Sequence, residues 1–121
     1  QLPSVSIWGT GTPRREFLHV DDLADALLHL LQLDNPPDWV NVGTSVDLTI
    51  AELAQLVGEV VGFSGKIEFD TTRPDGTPRK LTDTSLLQST VWKAKIDLRK
   101  GLEDTYQDFL QQSSGNLLRM I

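Results

Sequence analysis

The chain has 121 residues, the size of one domain, and its 11 basic and 17 acidic residues give a net charge of −6. This acidic balance argues against a protein that coats nucleic acid, which needs a basic excess. The absence of cysteine excludes a disulfide scaffold, a thiolate metal site and a cysteine nucleophile within the chain, and it fits a reducing, cytoplasmic setting. No apolar run is long enough for a membrane span.

The first third of the chain predicts a strand, a loop, an extended segment and a helix. Residues 5–8 form a short strand that ends at Gly9, and residues 9–13 form a loop that contains two glycines and a proline. Residues 15–20 are extended. A helix then begins with Asp21 as its predicted N-cap and keeps helical spacing to about Leu33. Because the chain lacks an initiator Met and enters a strand almost at once, we expect a piece of a longer protein.

The middle third predicts a strand, a helix and another strand. Residues 39–42 are predicted as a short strand. Thr49 and Glu52 have the spacing of a capping box at the start of the second helix, and Gly62 is its predicted C-cap. Residues 66–70 alternate apolar and charged side chains, which indicates a half-buried strand.

The last third predicts a polar loop over residues 71–80, a short helix over residues 84–88 and a final helix capped at Asp97. Residues 113–121 show no periodicity and are predicted as a disordered or tag-like tail, which leaves residues 1–112 as one folded domain. The predicted fold is therefore α/β, a small lobe with short strands and about three main helices. Its few strands make a thin sheet, unless partner strands lie upstream.

Two loops repeat one pattern. Residues 11–15 read Gly-Thr-Pro-Arg-Arg and residues 76–80 read Gly-Thr-Pro-Arg-Lys, and Arg73 adds a fifth cation near the second loop. If the fold unites these loops, they form a positive pocket that suits a diphosphate, because Arg offers a planar fork to phosphate oxygens and Lys a point charge. The alternative is two separate surface turns whose charges are solvated.

Two further residues near these loops have a functional and a structural interpretation. Trp8, directly before the first loop, can stack on a base or a sugar, or it can belong to the core. Asp75 lies in a Pro-Asp-Gly turn, where its carboxylate can accept hydrogen bonds from sugar hydroxyls or can serve the geometry of its own turn.

Known catalytic patterns are missing from the sequence. Arg14 occupies the last glycine position of a dinucleotide fingerprint, and no helix follows. Tyr106 is the only tyrosine and has Leu110, not lysine, four residues later. His19 and His29 are too few for a metal site, and we expect both to have structural roles or to be solvated. We therefore predict no catalytic, cofactor-binding or metal-binding residue in this chain.

The chain resembles the GDP-L-fucose synthase family of the extended short-chain dehydrogenase/reductases over about residues 4–112. The similar stretches are WGTGTPRREFLHVDDLADA at 8–26, NVGT at 41–44, LTIAELA at 48–54 and FDTTRPDGTPRKL at 69–81. The resemblance implies a two-domain enzyme with an upstream Rossmann domain that binds NADP(H) and a C-terminal lobe that holds a GDP-sugar. It also implies epimerisation of GDP-4-keto-6-deoxy-D-mannose at C3 and C5, then reduction at C4 by NADPH to give GDP-L-fucose.

The resemblance assigns substrate-binding roles to Trp8, Arg15, Asp75 and Lys80. It leaves Arg14 as a solvated neighbour and Arg79 undecided. The sequence departs from the family at Val91, where a glycine is usual. Because Val does not adopt a positive φ cheaply, we expect a different local turn.

The resemblance also sets expectations for partners. We expect this lobe to be inactive by itself, to bind no cofactor, nucleic acid or membrane, and to expose apolar surface from residues 8–20 and the first helix, so that it forms a homodimer or self-associates. Two other functions stay open: the nucleotide-sugar lobe of a related dehydratase or 4-epimerase, and a non-catalytic interaction domain that reuses the lobe.

Overall fold

The structure, a computed structural model, describes residues 3–115. Its strands are β1 (Ser4–Trp8), β2 (Arg14–Glu16), β3 (Asp47–Thr49), β4 (Lys66–Asp70) and β5 (Arg79–Lys80). Its helices are α1 (Val20–Leu31), α2 (Ile50–Val61), α3 (Ser85–Ser89) and α4 (Leu98–Ser114). The predicted α/β class, with short strands and three main helices, is confirmed. Among the described residues, no helix is long and apolar enough to cross a membrane.

The strands form two small sheets. β1 pairs in parallel with β4, with Trp8 opposite Asp70 at the end of the ladder. In the second sheet β2 lies in the centre, antiparallel to β3 and parallel to β5. The sequence did not predict β3 or β5, because both are very short and mostly polar and so lack the alternation that marks a half-buried strand. These two strands flank β2, which carries Arg15, and β5 itself carries Lys80.

The hydrophobic core is small and lies between α1 and the segments that follow it. Ala26, Leu87 and Trp92 are buried. Leu18, Leu30, Val40, Val42 and Ala94 pack around them. Asp22 is also buried in this region, and its carboxylate accepts hydrogen bonds from the backbone N–H groups of Lys95 and Ile96 at 3.0 and 2.9 Å. Segment 95–96 is therefore tied to α1 by a charged group as well as by packing.

Residues 39–42 are not a strand in the structure, so that prediction is wrong. Val40 and Val42 face the core, but Trp39 is 85% exposed. A strand needs a hydrogen-bonded neighbour as well as a hydrophobic pattern, and no strand of the described residues pairs with this segment. The apolar pattern identified Val40 and Val42, which pack against the core, but it did not show that the segment has no partner strand in the described part of the chain.

The predicted helix ends agree with the structure at most positions. Thr49 and Glu52 form the predicted capping box, and Gly62 caps α2 with a left-handed φ of 67°. Asp97 caps α4 by accepting a hydrogen bond from the backbone N–H of Lys100. α1 differs, because it begins one residue after His19, whose Nδ1 accepts a hydrogen bond from the N–H of Asp21. Asp21 is therefore a first-turn charge and not the N-cap.

Two further expectations concern the end of the chain. Val91 has a φ of 68°, so it adopts the positive φ that we expected a Val to avoid, and the expectation that this turn differs from that of the family stays a prediction. α4 runs to Ser114, two residues into the predicted tail. Residues 116–121 lie outside the described residues, and the domain boundary at 112 stays a prediction.

Candidate functional site

The fold brings the two cationic loops together. β2 and β5 run in parallel with Arg14 opposite Arg79 and Arg15 opposite Lys80. The backbone N–H of Arg14 also donates to the carbonyl of Pro78 at 2.8 Å. Segments that are about 65 residues apart in sequence therefore lie side by side.

Ion pairing divides the four cations of β2 and β5 into two that have a carboxylate partner and two that have none among the described residues. Asp47, whose side chain is only 5% exposed, forms ion pairs with Arg14 at 2.9 Å and with Arg79 at 2.5 Å. The hydrogen bond from Arg79, followed by that from Arg14, lowers the pKa of Asp47. Arg14 was predicted to be solvated; its side chain is 40% exposed but also forms an ion pair, and Arg79 has the same partner.

Arg15 and Lys80 have no carboxylate partner anywhere in residues 3–115. Successive side chains on a strand point to opposite faces, so Arg15 and Lys80 lie on the face opposite Arg14 and Arg79. The Nη1 of Arg15 donates to the carbonyl oxygens of Arg14 and Thr77, each at 2.7 Å. These bonds fix the guanidinium against the second loop while its positive charge stays uncompensated.

Arg15 and Lys80 line a cleft of about 480 Å³, together with Glu16, Leu81 and Thr82. The volume lies within the usual range for small-ligand pockets. Gly76 lies against the guanidinium of Arg15, because a Cβ there would be 3.1 Å from Nη2 of Arg15. The cleft therefore offers two unpaired cations in a space of ligand size, which is the chemistry that binds phosphate groups.

Trp8 lies at the end of β1 and is 70% exposed, so the core interpretation is wrong. The guanidinium of Arg73 lies 5.0 Å from the centroid of its ring, which is cation–π geometry. Arg73 also lies 3.8 Å from a carboxylate oxygen of Asp70. An indole face is therefore presented beside the first loop, partly covered by a cation from the second.

Asp75 reaches across to the first loop and does not serve its own turn. Its two carboxylate oxygens accept hydrogen bonds from the backbone N–H and the hydroxyl of Thr10, at 2.8 and 2.7 Å. These bonds lower the pKa of Asp75. A Cβ on Gly9, whose φ is 87°, would lie 2.2 Å from the same carboxylate, so the contact requires glycine there. Of the four residues assigned by resemblance, Arg15 on β2 and Lys80 on β5 line the cleft together, whereas Trp8 at the end of β1 and Asp75 in the second loop are not part of its lining.

A second and larger cavity, of about 890 Å³, was not predicted from the sequence. It lies between the start of β3 and the segment before α4, and Phe17, Val46, Trp92, Ile96 and Leu98 contribute apolar walls. Its lining comes from four separate segments, so no local pattern marks it. In residues 3–115 no cluster of side chains suited to a metal ion is found.

The fold and these loops can be compared with known proteins. Residues 1–43 match the family model of the NAD dependent epimerase/dehydratase family. A solved GDP-mannoheptose C4 reductase from Campylobacter jejuni with NADP bound superposes with a TM-score of 0.78 and 42% identity over 88% of this chain and 35% of that one. A UDP-glucose 4-epimerase from Thermotoga maritima, solved with UDP-glucose, gives a TM-score of 0.78 and 25% identity over 91% of this chain and 36% of that one. The fold matches the C-terminal lobe of extended short-chain dehydrogenase/reductase structures.

Within that class, the chain is a homologue of the GDP-L-fucose synthases. It is 56% identical to GDP-L-fucose synthase 1 of Arabidopsis thaliana over 107 residues, which is 88% of this chain and 33% of that protein. The resemblance stated from the motifs is confirmed. The chain thus spans about a third of the length of such relatives.

Proposed function

We propose that this chain is the GDP-sugar-binding lobe of a GDP-L-fucose synthase. In this proposal Arg15 and Lys80 bind the diphosphate, Trp8 packs against the nucleoside or the sugar, and Asp75 holds the turn beside them. The observation that carries the proposal is the division of cations in the β2–β5 pair: Arg14 and Arg79 share Asp47 as an ion-pair partner, whereas Arg15 and Lys80 have no carboxylate partner among the described residues and line a cleft.

A calorimetric titration of the chain with GDP tests this proposal. We expect measurable binding that weakens about tenfold or more in Arg15→Ala and in Lys80→Ala, because a charge-assisted hydrogen bond contributes about 1.5–3 kcal/mol. Lys66→Ala removes one positive charge from an exposed site on β4 and serves as the matched control. Equal losses in all three variants would indicate a non-specific charge effect and would contradict the proposal.

The reaction proposed for the whole enzyme is epimerisation of GDP-4-keto-6-deoxy-D-mannose at C3 and C5 followed by NADPH-dependent reduction of the C4 ketone. The described residues do not fit NADP(H) themselves. The loop after β1 leads into a strand and not a helix, and the carboxylate of Asp75 lies against Gly9, where it would repel a pyrophosphate. We therefore assign cofactor binding and catalysis to an upstream Rossmann domain, and we expect this lobe to bind substrate but not to turn it over.

The exposed apolar side chains support a docking surface for that domain. Val20, Leu27 and Leu31 project from one side of α1 with 68%, 53% and 81% exposure, and Trp39 is exposed nearby in sequence. Such a stripe on a helix of a folded lobe indicates an interaction surface. We propose that the Rossmann domain covers it in a full-length cytoplasmic enzyme, and that the isolated chain self-associates through it, as a homodimer or larger species. Sedimentation showing only monomer at high concentration would contradict the self-association.

A second candidate function is the corresponding lobe of an enzyme that acts on another nucleotide sugar. The UDP-glucose 4-epimerase superposes with the same TM-score as the GDP-mannoheptose reductase. We therefore keep this alternative, because enzymes that act on different nucleotide sugars share the fold. Competition between GDP and UDP for the cleft distinguishes the two. Tighter binding of GDP supports a GDP-sugar lobe, and tighter binding of UDP supports the alternative.

A further inference from the structure

Two carboxylate–threonine contacts join the loops at opposite ends of the β2–β5 pair. At one end the carboxylate of Asp75 accepts from the N–H and hydroxyl of Thr10. At the other end Oε2 of Glu16 accepts from the N–H and hydroxyl of Thr82, at 2.9 and 2.6 Å. The contacts are reciprocal, since the first segment supplies one threonine and one carboxylate and the second segment supplies the others. We call them the Asp75 clamp and the Glu16 clamp.

The ladder between the clamps is too short to fix the cleft by itself. β5 contains only Arg79 and Lys80, and the next backbone bond on the same side, from Arg14 to Pro78, extends it by one contact. Two paired residues bury little surface, and an isolated pairing of this length is not stable in water. The position of Lys80 opposite Arg15 therefore depends on side-chain contacts as well: the ion pairs of Asp47 with Arg14 and Arg79 within the ladder, and the two clamps beyond its ends.

Glu16 connects the cleft to a third segment as well. Its other oxygen, Oε1, accepts from the backbone N–H groups of Thr44 and Ser45, each at 2.6 Å. Gly43 leaves room for this arrangement, because a Cβ there would lie 2.3 Å from Oγ1 of Thr82 and 2.5 Å from Oε1 of Glu16. Both oxygens of Glu16 are thus saturated by donors, so the carboxylate acts on the protein and not on a ligand.

We propose that Glu16 is a positioning residue for the anion cleft: its carboxylate, by holding Thr82, sets Lys80 at the distance from Arg15 that a diphosphate requires. Lys80 precedes Thr82 by two residues and Arg15 precedes Glu16 by one, so the clamp is adjacent to both cations. Charge-assisted hydrogen bonds that N–H and O–H groups donate to a carboxylate are strong enough to hold two segments at a fixed separation. The inference rests on the proposed function, since it names the residue that shapes the same site.

Glu16→Gln is the direct test. Glutamine has the same shape but only one acceptor oxygen, and its NH₂ group would face N–H donors on one side or the other. We expect GDP to bind about five- to tenfold more weakly, measured by calorimetry at a temperature where far-UV circular dichroism shows the variant to be folded.

Asp22→Asn is the matched control, because Asp22 is also a carboxylate that accepts two backbone N–H groups, but beside the core and not at the cleft. It should lower thermal stability and leave GDP affinity unchanged. Thr82→Val, which loses the hydroxyl donor and keeps the N–H, provides a milder test if Glu16→Gln does not fold. It should weaken GDP binding about two- to fivefold, and Thr82→Ser, which restores the hydroxyl, should recover wild-type affinity.

The outcomes separate this inference from the function on which it rests. Weaker binding in Glu16→Gln and Thr82→Val, with recovery in Thr82→Ser and no change in Asp22→Asn, supports the clamp. If Arg15→Ala loses affinity for GDP while Glu16→Gln and Thr82→Val bind GDP as wild type does, the positioning role is overturned. The assignment of the anion cleft then still stands. Wild-type affinity in Arg15→Ala, or no GDP binding by the unmodified chain, overturns both.

Discussion

The strained turn at Val91 predicts that a glycine there stabilises the protein. Val91 has a φ of 68° and its side chain is 93% exposed. A left-handed conformation costs a residue with a Cβ about 1–2 kcal/mol, and a β-branched side chain is among the least tolerant of it. The exposed side chain contributes little packing that Val91→Gly would remove. The substitution therefore relieves strain at almost no cost in buried surface.

The net gain in the free energy of unfolding is smaller than the strain energy, because glycine raises the conformational entropy of the unfolded chain. That entropy term is about 0.5–1 kcal/mol, so Val91→Gly should stabilise by about 0.5–1 kcal/mol. For a domain of this size we expect Tm to rise by about 2–5 °C. Val91→Ala keeps a Cβ but removes the branch and should raise Tm less.

Thermal unfolding of both variants, followed by circular dichroism at matched concentrations, is the assay. The order Gly above Ala above wild type supports the strain argument. A lower Tm for Val91→Gly than for wild type would refute it, because the side chain would then contribute more by contact than the backbone loses by strain.

Three further predictions concern the clamps and the glycines. Gly43→Ala places a Cβ against Thr82 and Glu16 and should lower the free energy of unfolding, measured in urea, by about 2–3 kcal/mol. An unchanged urea midpoint would show that the Glu16 clamp can shift to admit the methyl group. Gly58→Ala meets only Ile67 at 3.7 Å and should stabilise by about 0.5–1 kcal/mol; destabilisation would mean that α2 tolerates no added methyl group there. Burial opposes ionisation of Glu16, but hydrogen bonds from Thr82, Ser45 and Thr44 outweigh this effect and lower the pKa of its carboxyl group. The carboxylate therefore stabilises the folded state at neutral pH, and this stabilisation is lost as the pH falls through the folded-state pKa. Stability should therefore fall more steeply between about pH 6 and pH 3 in wild type than in Glu16→Gln, and equal slopes would contradict this.

Features that depend on neighbouring residues could be predicted from the sequence. The capping box of Thr49 and Glu52 and the glycine cap at Gly62 depend on residues within one turn of the helix, so spacing alone identifies them. The same is true of the Asp97 cap. α1 was placed correctly except for its first residues, where His19 supplies the capping acceptor in place of an aspartate.

Features that depend on distant pairing could not be predicted in this way. β5 is a strand only because it lies beside β2, and its two side chains are both basic. The partner of Asp75 is 65 residues away and that of Glu16 is 66 residues away, so no local pattern shows either clamp. Repetition of the two cationic loops suggested that they meet, but only the side-chain contacts of the fold show that Asp47 pairs with Arg14 and Arg79.

A titration of the ¹⁵N-labelled chain with GDP, followed by amide chemical shifts, locates the diphosphate site residue by residue. We expect saturable shifts at Arg15, Lys80 and Thr82 and at the indole N–H of Trp8, with the apolar cavity beside Trp92 unaffected. Shifts concentrated at that second cavity, or spread over the surface cations without saturation, would contradict a diphosphate site between the two loops.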